Sequence, residues 1–185
     1  MLVIKNVSCP FFTEIHYMKT LILVRHAKSS WDSFDIQDFD RPLNDRGKKD
    51  APDMAERLKE KGLKIDALVS SPARRAKKTA KVFAEGLKKE KDDIVFIDRL
   101  YGADVPTLGD VVSKLEDKAD VVALFAHNPG LTEYANTLTG VRIDNMPTCA
   151  LFAVQAPVNK WSQFANAEKS FLFFDYPKNP LGHLD

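Results

Sequence analysis

The sequence is poor in cysteine. Cys9 and Cys149 are the only two among 185 residues. They make no disulfide framework and match no metal-ligand spacing, which points to a reducing cytoplasm. No apolar run approaches the roughly 20 residues of a membrane-spanning helix, so no membrane partner is expected. Charge of one sign is lacking too. A net charge of +1 argues against a broad nucleic-acid footprint, which needs a basic face, and leaves room for a small local anion site. There is no Walker loop, no Gly-rich dinucleotide fingerprint and no carboxylate cluster with metal-ligand spacing. Chemistry without metal or organic cofactor is the consistent expectation.

What is present suits one domain. Hydrophobic residues at 44% suffice for a sizeable core at this length. Residues 1–17 stand apart: Asn6, Pro10, Thr13 and Glu14 interrupt their apolar positions, so no continuous signal-peptide core forms. They read as an N-terminal extension, a mis-assigned start or loose tail, with an extra strand or docking arm as the alternative. The domain itself is expected over residues 18–185.

Along the chain, residues 20–24 make a short β-type run, followed by a polar loop through Asp40 that is long enough to suspect function. Asn44 or Asp45 can cap a helix reaching about Lys61, where Gly62 stops it. Pro52 within that helix implies a kink or a start nearer Asp50. A strand at 67–70 leads to Pro72, placed where a first helical turn tolerates it, and to a helix ending near Leu87. The charged run 88–93 reads as a solvated turn. Strands at 94–97 and 121–126 alternate with helices at 106–115 and 131–138. In the tail, 150–156 and 170–174 read as strands, with 161–164 a candidate third. Such alternation predicts a three-layer α/β/α sandwich around a mixed, mostly parallel sheet.

Three segments carry chemistry, and each follows an expected buried strand, where open α/β sheets place their ligands. They are Arg25-His26, the stretch Ser70-Ser71-Pro72-Ala73-Arg74-Arg75, and His127-Asn128-Pro129-Gly130. Together they bring two arginines and two histidines to one edge of the sheet. Guanidinium groups hold phosphate oxygens through paired, charge-assisted hydrogen bonds. Phosphoryl transfer needs positive charge and an aligned nucleophile but little else. Two arginines with one protonated histidine would supply the charge, and a second, neutral histidine the nucleophile.

The chain resembles the histidine phosphatase superfamily, which includes the phosphoglycerate mutases, over about residues 19–174. The family's Arg-His-Gly or Arg-His-Ala motif matches Arg25-His26-Ala27, and its Ser-Pro-x-x-Arg-Ala-x-x-Thr motif matches residues 71–79. The resemblance implies that His26 is the nucleophile, that Arg25 and Arg75 bind phosphate, and that His127 is the second catalytic histidine. Its Arg-Pro-Leu-x-x-x-Gly segment matches Arg41 through Gly47, making Arg41 a candidate extra phosphate ligand. The wording Arg-His-Ala-Lys-Ser-Ser-Trp at 25–31 is similar to the small SixA-type phosphohistidine phosphatases. In the phosphomonoesterase members a glutamate follows the third strand and protonates the leaving oxygen. Here that region reads Asp98-Arg99-Leu100-Tyr101-Gly102-Ala103-Asp104, with Tyr101 near the acid's place and Asp104 the substitute candidate.

Plainer readings compete at each position. Arg25 and Arg75 would serve as ordinary ion-pair partners, for instance of Asp32 or Asp40, and Arg41 as a loop salt bridge to Asp38 or Asp40. His127 would be a satisfied strand-end histidine, and the whole a phospho-binding scaffold without turnover. The expected function is a metal-independent phosphatase acting through a phosphohistidine intermediate. Its expected partner is a phosphohistidine-bearing protein, with a small sugar or nucleotide-derived phosphate ester as the alternative.

Overall fold

The structure, a computed structural model, describes residues 17–30 and 36–179. The expectations for residues 1–16 and Asp32, and Trp31 of the 25–31 motif, fall outside the described residues. The strands are β1 (Lys19–Arg25), β2 (Ala67–Ser70), β3 (Val95–Phe96), β4 (Val121–Ala126), β5 (Leu151–Ala156) and β6 (Ser170–Asp175). The helices are α1 (Asp45–Glu60), α2 (Arg74–Gly86), α3 (Val105–Ser113), α4 (Gly130–Leu138) and α5 (Trp161–Phe164). The strands form one sheet in the order β3-β2-β4-β1-β5-β6. Pairings are parallel from β3 through β1 and antiparallel for β5 and β6. The fold is therefore the expected α/β class with a mixed sheet.

Alternation along β1 divides two cores. Leu21 and Leu23 face Leu108, Tyr134, Phe152 and Trp161 on one side. Ile22 and Val24 face Met54, Leu58 and Phe83 on the other. All four β1 side chains are fully buried, each contributing about 1.5–3 kcal/mol by removal from water. Both faces are thereby committed to helices, and the strand ends are the place left for chemistry.

Four local expectations change. Helix α1 starts at Asp45 and carries Pro52 in its interior; the Asn44 side chain accepts from the Gly47 amide at 2.9 Å, and this cap with its tertiary contacts outweighs the proline's missing donor. Pro72 lies before the α2 cap, Ala73, outside the first turn. Strand β3 is only two residues long. Residues 161–164 form a short helix rather than a strand. There the spacing of three brings Trp161 and Phe164 together, ring centroids 5.1 Å apart, and Trp161 Nε1 donates to the Ala119 carbonyl at 2.8 Å.

Candidate active site

The parallel register of β1 and β4 pairs Arg25 with Ala126, so the next residues, His26 and His127, leave the sheet side by side. Their ring centroids are 5.1 Å apart, and both residues are buried. His26 Nδ1 lies 2.8 Å from the Ala27 carbonyl. A carbonyl only accepts, so Nδ1 carries the hydrogen and Nε2 of the neutral ring keeps its lone pair. Burial pushes the imidazole down to about 3, assisted by His127, Arg75 and Arg25 and opposed by the Ala27 hydrogen bond. Neutral and oriented through its other nitrogen, His26 has the properties of a nucleophile at ordinary pH.

Arg75 occupies the first turn of α2, on its buried face. Its Nε donates to His26 Nε2 at 3.2 Å, and its Nη2 to Asp38 Oδ2 at 2.8 Å. Nη1 donates to the Asp38 backbone carbonyl. Asp38 opens a short 3-10 turn, Asp38–Asp40, in the long loop after β1. Its carboxylate also takes the Tyr101 hydroxyl at 2.8 Å and Arg41 Nη1 at 2.9 Å. Desolvation resists its ionisation, but the hydrogen bonds from Arg41, Tyr101 and Arg75 prevail and hold the carboxyl well below the usual range. The Tyr101 ring meets His127 edge-on at 5.5 Å and Phe39 at 5.1 Å.

His127 Nε2 lies 2.8 Å from the Ser71 hydroxyl, and its Nδ1 is buried without a partner among the described residues. Burial, with the Arg75 charge adding and Asp38 opposing, pushes this ring down to about 4. It is therefore neutral near pH 7 in the free protein, whereas sequence reasoning expects it protonated. The difference is desolvation, which a linear motif does not reveal. Arg25 Nη1 donates to the Met146 carbonyl at 2.6 Å, and its buried Nε also lacks a partner among the described residues.

Other motif residues prove to be supports. Thr79 Oγ1 accepts from the Ala27 amide at 3.0 Å and donates to the Arg75 carbonyl at 2.7 Å, tying the His26 loop to α2. A Cβ at Gly47 would lie 2.1 Å from the Lys28 carbonyl, so only glycine lets α1 meet that loop. Likewise a Cβ at Gly130 would lie 1.9 Å from the Ala103 carbonyl. Arg41 donates from Nε to the Ser30 carbonyl and from Nη2 to the Ser29 hydroxyl, both at 2.8 Å. Its guanidinium is thus committed to the loop and to Asp38. Asp104 caps α3, accepting from the Thr107 amide at 3.0 Å, and the Thr107 hydrogen bonds lower its pKa, the wrong direction for a proton donor.

Sequence reasoning missed two participants. Asp38 was visible only as a local partner for Arg41 three residues on; its link to Arg75 spans 37 positions. In the sequence Ser71 is one letter of a motif, with nothing to mark it as the partner of His127. Among the described residues, no group of three His, Cys, Asp or Glu side chains is placed to hold a metal ion. Nor is any helix there long and apolar enough to cross a membrane.

Residues 21–104 match the family model of the histidine phosphatase superfamily, branch 1. An uncharacterized chloroplastic protein of Arabidopsis thaliana is 32% identical over 155 residues, 78% of this chain and 70% of that protein. The structure of the protein histidine phosphatase SixA complexed with tungstate superposes with a TM-score of 0.73 at 21% identity, covering 86% of this chain and 98% of that one. A mycobacterial glucosyl-3-phosphoglycerate phosphatase in complex with VO3 gives a TM-score of 0.62 at 16% identity, over 85% of this chain and 99% of the other. At these identities both structural likenesses bear on the fold.

Proposed function

This chain belongs to the histidine phosphatase superfamily and is a phosphatase with a catalytic histidine; from that premise we propose that it removes the phosphoryl group from phosphohistidine on a protein, without a metal ion. One observation carries the reading. At the ends of β1 and β4, Nε2 of neutral His26 keeps its lone pair and accepts from Arg75 Nε at 3.2 Å, while the buried Arg25 Nε and His127 Nδ1 have no partner among the described residues. A buried donor left unmade costs about 1–3 kcal/mol. In this reading a tetrahedral oxyanion gives Arg25 Nε its acceptor and brings phosphorus to the His26 lone pair.

In the proposed reaction Arg25 and Arg75 hold the phosphoryl oxygens, and Arg75 Nε passes from His26 to the substrate as it binds. His26 Nε2 attacks phosphorus in line. The P–N bond breaks with its electron pair going to the leaving imidazole, which already carries a proton on its other nitrogen and departs neutral. The new P–Nε2 bond leaves His26 with the positive ring, so one imidazole simply replaces another. Water then attacks phosphorus, the Nε2 pair returns to His26, and phosphate leaves. His127 takes a proton from solvent as the anion enters, because a nearby negative charge raises an imidazole pKa, and the imidazolium donates a hydrogen bond to an equatorial oxygen, returning the proton to solvent when phosphate leaves.

The leaving group separates this reading from a small phosphate ester. An alkoxide needs a positioned acid, worth about 10² to 10⁴ in rate, and Asp104 is engaged as a helix cap. Purified protein is expected to turn over a phosphohistidine peptide and phosphoramidate at least tenfold faster, by kcat/KM, than alkyl monoesters of similar size. An alkyl ester cleaved as efficiently as phosphohistidine overturns the reading in favour of a small-molecule phosphatase. The proposal takes residues 18–185 as the catalytic unit and places it in the cytoplasm, as the unpaired, buried Cys149 favours.

A further inference from the structure

The described site contains a carboxylate that phosphate binding alone does not call for. Asp38 is ionised, its side chain is 46% exposed, and it stands against the arginine that grips phosphate. A free carboxylate would swing away from an incoming anion, but this one is held on both oxygens. Arg41 binds Oδ1, while Arg75 and Tyr101 share Oδ2. Arg41 is itself anchored to Ser29 and Ser30. The negative charge is therefore a permanent feature of the site, and it is close enough to raise the His127 pKa. Fixed charges in a partly desolvated site act on whatever enters it.

We propose that Asp38 is a specificity-determining residue, a fixed anion beside the phosphate site that favours phosphoryl groups carried on a cationic nitrogen over phosphate esters and free phosphate. The inference rests on the phosphohistidine reading and adds the residue that enforces it. A phosphate ester brings two negative charges and a leaving atom that becomes more negative, both opposed by the carboxylate. A protonated phosphoimidazole or phosphoramidate brings a positive nitrogen, which the carboxylate attracts. Tyr101 adds an exposed aromatic ring next to His127, apolar surface for a planar imidazole. The anion also weakens retention of the product, inorganic phosphate.

The test is the selectivity ratio, kcat/KM for a phosphohistidine peptide or phosphoramidate divided by kcat/KM for an alkyl monoester. In Asp38→Asn and in Asp38→Ala the ratio is expected to fall at least tenfold, with inorganic phosphate becoming the stronger inhibitor. Asp38→Glu, which keeps the charge, should retain most of the wild-type ratio. Tyr101→Phe, which removes a donor without changing charge, should leave the ratio within about threefold. Equal losses on both substrates with the ratio preserved overturn the proposal and make Asp38 a positioning residue for Arg75. Loss of folding in both neutral variants also overturns it. The wild-type ratio judges the phosphohistidine reading, and its change in the variants judges Asp38.

Discussion

Arg75 donates through Nε to Nε2 of His26, 3.2 Å away, so the nitrogen lone pair proposed to attack phosphorus is held by the arginine proposed to bind phosphate. The same contact explains how neutral His26 is kept correctly aimed before substrate arrives. Nδ1 is fixed by the Ala27 carbonyl and Nε2 by a guanidinium that donates a hydrogen bond to its lone pair but keeps its own proton. Substrate binding then exposes the nucleophile and engages the arginine in one event.

Brief exposure to labelled substrate, followed by quenching, should leave label on His26 that survives alkali and is lost in acid. His26→Ala should lose that label and at least about 10³-fold in turnover, since nucleophilic catalysis has no substitute here. Near wild-type turnover in the variant refutes the assignment.

Asp104→Asn is expected to change neither stability nor turnover of phosphoramidate, because asparagine caps a helix about as well as aspartate. Asp104→Ala should lower the midpoint of denaturant unfolding by removing the cap, with turnover of the folded protein intact. A collapse of ester hydrolysis in Asp104→Asn would make this residue the general acid.

Thr79→Val removes the acceptor for the buried Ala27 amide. One unsatisfied buried donor costs about 1–3 kcal/mol, read as a lower melting temperature. Turnover should fall as well, because Ala27 also supplies the carbonyl that orients His26. Thr79→Ser, which keeps the hydroxyl, should restore both.

Stability should decline on acidification through the two histidines. Their pKa values are depressed in the folded chain, to about 3 for His26 and about 4 for His127, against about 6.5 unfolded. Between those limits the unfolded chain binds more protons, so unfolding becomes easier as pH drops below about 6.5. Denaturant melts from pH 7 to 4 should show that slope, and His127→Gln should make it shallower. A slope unchanged in His127→Gln would show that His127 titrates alike in both states.

Strands β2 and β4 were legible to the residue, because a strand buried on both faces must be a continuous apolar run, and such a run is a local property of the chain. That His26, Arg75 and His127 meet at one edge of the sheet was legible because a strand-end position and a short motif are local too. What escaped the sequence were relations between distant residues. Asp38 reaches Arg75 only when the loop after β1 folds over α2. His127 loses its proton only when the sheet and its helices exclude water around it. The aromatic pattern at 161–164 reads as strand until Asp117 and Ala119 accept the Trp161 hydrogen bonds. Composition and spacing determined which chemistry this chain carries. Tertiary structure decided the charge on each group and the partner it keeps, because desolvation and hydrogen bonding depend on what else is brought within a few ångströms.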